Sequence, residues 1–464
     1  MKKSSYAELI DQSYDLVQKW FEVVDGTTYF QGVSMMDIVK QYGSPIKISY
    51  LPKISSQIQK SQDNFAKALA NHNYQGKYIY SYCTKSSHFS FVLDRVLQEW
   101  AQLEISSAYD IQIIRNLWKE NKLTTKHMII CNWYKSPFYV KEIVDLWKDG
   151  FENIVLVIDN ADEIALIEWQ IEEWSLKVWI RIATEEEPKF ELYTSRLWIS
   201  AKEVVALYED RIKSNPKINL VMVHFFINSK IKDTPYYRSE LSRLVEVYAD
   251  LKALCPQIQY LDIWGWFPIT YSLDMEYDYE YMTDQIVRTI QHICDANGVK
   301  SPDIVTEFGS YTVGESGAII YKVIGIKQQN EKELRYFIDN SFITTLPDTR
   351  GIWQKFIVFP LNQREKRYTN INLWGITCDS DDFYNKDGKG EQLILPKIAE
   401  GEELYIGFFH TWAYQESIGW YGGIQHCLIP APKHIIIDEK DWKIESYEFA
   451  PEQNAQWMLK ILWY

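Results

Sequence analysis

Between about residues 77 and 307, short β-branched and aromatic runs alternate with longer stretches whose apolar residues recur every three or four positions. The runs KYIYSYC (77–83), LEISS (103–107), HMIIC (127–131), NIVLVID (153–159), KVWIRIA (177–183), INLVMVHFF (218–226), IQYLDI (258–263) and DIVTE (303–307) predict eight strands. Stretches such as HFSFVLDRVLQEWAQ and YYRSELSRLVEVYADLKAL predict helices between them. Strand and helix in eightfold alternation predict an α/β fold, a (β/α)8 TIM-type barrel, placed over residues 46–320. An open doubly wound sheet is the alternative; the absence of an obvious topological break disfavours it. After about residue 320 the runs IIYKVIGIKQQ, FITTLPD, KFIVFPL, NINLWGITCD, EQLILPK, ELYIGFF and KHIIIDEK are short and separated by polar or Gly/Pro/Asp turns. They predict a C-terminal all-β domain over 321–464. Residues 1–45 form an N-terminal segment expected to pack with that domain, and PIKISYL (45–51) is a further strand that could join it.

A chain of 464 residues is too long for one ordinary core, in keeping with two domains. Apolar content of 46% and charged content of 24% are those of a soluble globular protein. A formal charge of −14 argues against a nucleic-acid binder and is compatible with a cationic substrate. Lys2 and Lys3 are followed by no apolar run, so a leader is not expected, and no window of about 18 apolar residues predicts a membrane span. Six cysteines without a CxxC pair point to a reducing cytoplasm and away from a zinc site; no metal is expected. One feature is abnormal: 18 tryptophans stand against only 20 glycines, together about 8% of the chain. Glycine alone averages about that share.

Barrel enzymes carry their chemistry at the C-terminal strand ends. There stand Thr84 and Lys85 after the first strand, His224, Phe226 and Ser229 at the sixth, Trp264, Gly265 and Trp266 at the seventh, and Glu307, Phe308, Gly309 and Ser310 at the eighth. A lysine beside a phosphate-binding turn suggests a Schiff base with a phosphate cofactor. Read singly, Lys85 is a surface charge, Glu307 a structural carboxylate and Cys378 a small buried hydrophobe. A glycoside hydrolase with tryptophan platforms is a second reading, weakened because Glu307 has no partner acid after the seventh strand.

Several segments together resemble the fold-type III, alanine racemase-like, pyridoxal-phosphate-dependent amino-acid decarboxylases, over roughly residues 40 to 430. YGSPIKISYLPKI is similar to the family's entry segment, YSYCTKSSH to its cofactor-lysine segment, TEFGSYTVG to its Glu-x-Gly turn, and CDSDD (378–382) to its Cys-Asp-x-x-Asp motif. ICNWYK (130–135), SFITTLPDTRGI (341–352) and AYQE (413–416) resemble biosynthetic arginine decarboxylases in particular. The resemblance implies pyridoxal 5'-phosphate carried by Lys85, with Glu307 at the pyridine nitrogen and Ser229, Gly265, Gly309 and Tyr414 around the phosphate. It implies Cys378 as the acid that reprotonates substrate carbon, and Asp348, Asp379 and Asp382 as acids for a guanidinium. Because the family lends the cysteine motif to a neighbouring subunit, it also implies a homodimer. The activity implied is decarboxylation of arginine to agmatine, for polyamine biosynthesis; ornithine, lysine and diaminopimelate decarboxylases share the scaffold.

The chain departs from the family at particular positions. Phe226 stands at the register of a stacking histidine, and Ser310 where an arginine usually meets the phosphate. Trp133, Trp198, Trp264, Trp266 and Trp412 fall where the family has glycine. Two readings follow. The indoles are genuine and the chain is a catalytically dead partner protein, or these positions are glycines encoded by a UGA codon that some lineages read as glycine.

Overall fold

The computed structural model describes residues 20–171, 175–183, 199–226, 234–265, 267–271, 277–331, 333–351, 354–384, 393–415 and 427–464. They fall into two compact units, one built from Ser55 to Pro268 with Tyr277 to Thr312, the other from the residues up to Ile54, a short stretch from Ile269 and the chain after Val313.

The first unit is the barrel. Its strands are β1 (Tyr78–Cys83), β2 (Gln102–Ile105), β3 (Ile129–Cys131), β4 (Ile154–Ile158), β5 (Leu176–Ala183), β6 (Ile218–Phe226), β7 (Tyr260–Asp262) and β8 (Asp303–Phe308). Each pairs in parallel with the next, and β8 pairs with β1, so the sheet closes. All eight predicted runs are strands. A short strand, Ile199–Ser200, adds to β5 outside the ring. The strands read as near-continuous apolar runs because both faces are covered; β4 is buried at every position. Met128, Ile130, Val155, Val157, Trp179, Met222 and Val305 pack into one core cluster. Helices begin where a side-chain oxygen satisfies an orphan N–H: Ser107 caps Ala108–Lys119, Ser136 caps Pro137–Lys148 and Asp278 caps Tyr279–Ala296.

The second unit is sheet-rich. Its central strand Gly317–Asn330 pairs with Glu333–Ile338, Tyr405–Phe409 and Ile46–Tyr50, and the last of these also pairs in parallel with Lys433–Lys440. The strand at 46–50, which the sequence offered as one that could join this domain, belongs to this sheet, so the barrel unit begins at Ser55 and not at residue 46. Phe21–Val24, Thr27–Phe30 and Val33–Ser34 form a small antiparallel sheet whose Phe21 and Phe30 enter the same core as Ile48, Ile320 and Ile435. The unit is not purely β: short helices occur at Phe342–Thr345 and Asp348–Gly351, and Ala455–Ile461 is helical near the C-terminus.

Candidate active site

Parallel register brings three buried polar residues to one level: Arg181 on β5 lies opposite His224 on β6, and His224 opposite Asp262 on β7. Glu307, near the end of β8, reaches them, its carboxylate 3.7 Å from His224 Nε2. Arg181 Nε donates to His224 Nδ1 at 3.2 Å and lies 3.0 Å from Asp159 Oδ1. Asn132, just past β3, donates Nδ2 to Glu307 at 3.2 Å. Lys85, in the single helical turn Thr84–Ser86 after β1, donates Nζ to Glu104 Oε2 on β2 at 2.6 Å. Arg181, His224, Glu104, Asp262 and Glu307 are all buried. One ligand atom from each of His224, Asp262 and Glu307 lies within 4.8 Å of the others, close enough to share protons or a cation.

Burial dominates the electrostatics. Burial, with Asp262 and Glu104 adding repulsion, pushes the Glu307 carboxyl well above the usual carboxylate range, and burial lifts Asp262 to about 7. Burial also drives His224 well below an ordinary histidine, reinforced by Arg181, Lys85 and Lys135, so the imidazole is neutral at pH 7. Neighbouring carboxyls that cannot both ionise, beside a neutral imidazole, make a site that can hold or release a proton at Glu307.

The seventh-strand turn follows. Gly265 packs so closely on β8 that a Cβ there would lie 1.8 Å from Glu307 O. Trp264 before it has φ +64°, and its N–H donates to Asp262 Oδ1 at 2.8 Å. Trp133, just past β3, has the same φ of +64°. The two indoles meet edge-on at 6.4 Å. Trp264 stacks on His224 at 5.6 Å, and Lys85 Nζ lies over the Trp133 ring at 5.2 Å with Arg181 at 4.6 Å. Aromatic contacts therefore run unbroken from Lys85 to His224.

The donor set suits a phosphorylated pyridine: an amine, a proton-holding carboxyl, a neutral imidazole, and buried Arg181 Nη1, Arg181 Nη2 and Glu104 Oε1 without a hydrogen-bond partner among the described residues. The space does not suit it. With tryptophan at 133 and 264, two indoles fill the region between the Lys85 amine and the His224 imidazole.

Of the sequence-predicted site residues, Lys85, Gly265 and Glu307 come together in the barrel unit. Gly309 is buried and opens the turn of Ser310–Val313, its carbonyl accepting from Thr312 N–H at 3.0 Å. Ser229, Trp198, Trp266 and the Phe226 side chain lie outside the described residues. In the second unit, Asp348 begins the helix Asp348–Gly351 and is tied to Gln415 twice: its N–H donates to Gln415 Oε1 at 3.2 Å and its Oδ2 accepts from Gln415 Nε2 at 2.7 Å. Tyr414 adopts φ +66°. Cys378 is exposed, its sulfur 3.5 Å from that of Cys427, and Asp379 Oδ1 accepts the Asp381 N–H. Asp382, expected to face substrate, is fully buried and accepts from Phe342 N, Thr377 N and Thr377 Oγ1. Its carboxylate ties its own loop, at Thr377, to the start of the helix Phe342–Thr345. Sequence reading gave no role to Glu104, Asn132, Arg181, His224 or Asp262. For the four on strands the available signal was a lone charged or polar residue inside an apolar run, which must find a partner indoors; Asn132, just past β3, carried no such signal.

The family model described as "Pyridoxal-dependent decarboxylase, pyridoxal binding domain" matches residues 55–314, more than half of the chain and close to the span of the barrel unit. The chain is similar to the biosynthetic arginine decarboxylase of Prochlorococcus marinus (strain MIT 9312), 21% identical across 83% of this chain and 78% of that protein. It is also similar to the enzyme of that name from Geobacter sp. (strain M21), 21% identical over 82% and 78%. Among solved structures, the biosynthetic arginine decarboxylase from Campylobacter jejuni shares the fold, with TM-score 0.81, 19% identity and coverage of 98% of this chain and 90% of that one. The diaminopimelate decarboxylase from M. jannaschi does so with TM-score 0.77, 16% identity and coverage of 95% and 96%.

Proposed function

The chain belongs to the pyridoxal-dependent decarboxylases, and from that membership we propose that it decarboxylates arginine to agmatine, in the cytoplasm, as a step toward polyamines. The cofactor of this family is pyridoxal 5'-phosphate; when bound it supplies the electron sink for the pair left by departing carbon dioxide. In a site free of the Trp133 and Trp264 indoles, Lys85 would hold it, Glu307 would keep a proton at its ring nitrogen, and Gly265, Gly309, Ser229 and Tyr414 would surround its phosphate. Cys378, lent across a homodimer, would return the proton to substrate carbon.

The observation that carries the substrate choice is the double hydrogen bond between Asp348 and Gln415. It joins SFITTLPDTRGI to AYQE, two of the segments that resemble arginine decarboxylases. A carboxylate oriented by an amide suits a planar guanidinium, which is held best by geometrically fixed acceptors. Asp348 and Asp379 are the proposed acids, and Asp382 shapes the loop that bears Asp379. Lysine or diaminopimelate is the second reading, supported by the diaminopimelate decarboxylase of the same fold.

The test is carbon dioxide release from arginine, ornithine, lysine and diaminopimelate, using protein purified from its source. Arginine is expected to be turned over, and Lys85→Ala to lose both turnover and bound cofactor. Turnover of another amino acid with none of arginine overturns the substrate. No turnover of any, with no cofactor band in the visible spectrum, overturns catalysis.

A further inference from the structure

Fourteen non-glycine residues among those described have positive φ, and five are tryptophan: Trp100, Trp133, Trp264, Trp442 and Trp463. By their share of the chain, 18 of 464, tryptophans would supply fewer than one. They equal Asn, Asp and His combined, the residues that tolerate this region best. A bulky β-carbon-bearing residue is strained there, whereas glycine is not.

Three of the five lie in local motifs for which this same chain supplies a glycine version. The helix Ser90–Gln98 ends with Trp100 N–H donating to Leu97 O and Ala101 N–H to Val96 O, with Trp100 at φ +60°. The helix Tyr279–Ala296 ends the same way, Gly298 N–H to Asp295 O and Val299 N–H to Cys294 O, with Gly298 at φ +65°. That paired closure is the helix stop that favours glycine. The terminal helix Ala455–Ile461 repeats it: Trp463 N–H donates to Lys460 O, Tyr464 N–H to Leu459 O, and Trp463 has φ +66°.

The third case is a hairpin. Lys433–Lys440 and Lys443–Ala450 are joined by Asp441 and Trp442, at φ +50° and +64°. Phe21–Val24 and Thr27–Phe30 are joined by Asp25 and Gly26, at φ +48° and +72°. Two positive φ values in a two-residue loop call for Asp-Gly. Nor does burial compensate: Trp100, Trp442 and Trp463 are 78%, 94% and 96% exposed. The remaining two, Trp133 and Trp264, are the indoles that obstruct the cofactor region.

We infer that positions 100, 133, 264, 442 and 463 are glycine in the working polypeptide, inserted at UGA codons that the source organism decodes as glycine. A UGA read as tryptophan accounts for all five at once, because it replaces glycine by this one residue irrespective of position. Trp412 has no positive φ, so backbone conformation makes no such demand there. The inference rests on backbone geometry and not on arginine as substrate. It also removes the disagreement at the cofactor site: loss of both indoles opens the space between Lys85 and His224, while the polar groups stay on their strands.

The test begins with the gene and the mass of tryptic peptides covering the five positions, from protein purified from its source. UGA codons with glycine masses at all five are expected; UGG codons, or a tryptophan mass at even one, overturn the rule. A second measurement uses recombinant protein made as written and with Trp133→Gly and Trp264→Gly, each mixed with pyridoxal phosphate and gel-filtered. The double variant is expected to retain the visible absorbance of lysine-linked cofactor and the parent to lose it. Equal retention by the parent refutes the obstruction. Neither readout involves arginine, so failure of the substrate assignment leaves both intact.

Discussion

The strain at Trp100 can be isolated by comparing Trp100→Gly with Trp100→Ala in the protein as written. Both remove the same indole, which is 78% exposed, so they differ in one β-carbon at φ +60°. The left-handed conformation costs an L-residue about 1–2 kcal/mol. Glycine gives back part of that, because its unfolded chain loses about 0.5–1 kcal/mol more on ordering. The net difference in favour of glycine is about 0.5–1 kcal/mol, roughly threefold in the unfolding constant. Urea unfolding at 25 °C, followed by circular dichroism, should place the glycine midpoint above the alanine midpoint at an unchanged slope, since exposed surface is the same in both. An alanine variant as stable as the glycine variant, or more so, would falsify the claim of a strained position. The hydrogen bonds at Val96 O and Leu97 O would then be held by something other than backbone freedom.

Gly265→Ala should destabilise the barrel unit by about 1–3 kcal/mol or more, because the new Cβ meets backbone; the nearest atom, Glu307 O, lies 1.8 Å from it. An unchanged thermal midpoint would show that the turn can relax. In the chain as written, Asp262 has a folded pKa of about 7, above its ordinary 3.8, so the folded state holds a proton the unfolded state has lost. Its contribution is complete below pH 4 and declines as pH rises to 7, then stays constant. Asp262→Asn should flatten that part of the pH–stability curve, and a curve of unchanged slope would exclude Asp262 as its origin. Asp382→Asn replaces one acceptor oxygen by a donor, facing either Phe342 N, which Oδ1 now accepts, or Thr377 N and Thr377 Oγ1, which Oδ2 accepts. A loss of about 1–3 kcal/mol is expected from the unsatisfied buried groups. A parent-like midpoint with a raised KM for arginine would instead place Asp382 on substrate.

Much of the fold was legible because it is written locally. INLVMVHFF became Ile218–Phe226 and NIVLVID became Ile154–Ile158, since β-branched continuity between turn signals encodes a buried parallel strand. The position of Lys85, the proposed cofactor lysine, at the end of the first barrel strand was legible for a similar reason: YSYCTKSSH is contiguous, and a strand end fixes where its next residues point. The boundary near residue 46 was only half legible. PIKISYL has the pattern of a strand wherever it pairs, so the sequence could offer it to the second unit, but only its partners Gly317–Asn330 and Lys433–Lys440 assign it there and move the start of the barrel unit to Ser55.

The sequence alone determined the strand–helix alternation, the order of the family segments, the candidate residues at strand ends and the excess of tryptophan over glycine. Tertiary structure alone decided that Asn132 would hold Glu307 from 175 residues away, that Arg181, His224 and Asp262 would share one level, and that Asp382 would turn inward. It also decided which tryptophans matter, by showing which have positive φ. The physical reason is the same throughout. Periodicity reports how a segment meets its immediate surroundings, whereas closure of a barrel and the handedness of a turn depend on hydrogen bonds whose partners no local pattern names.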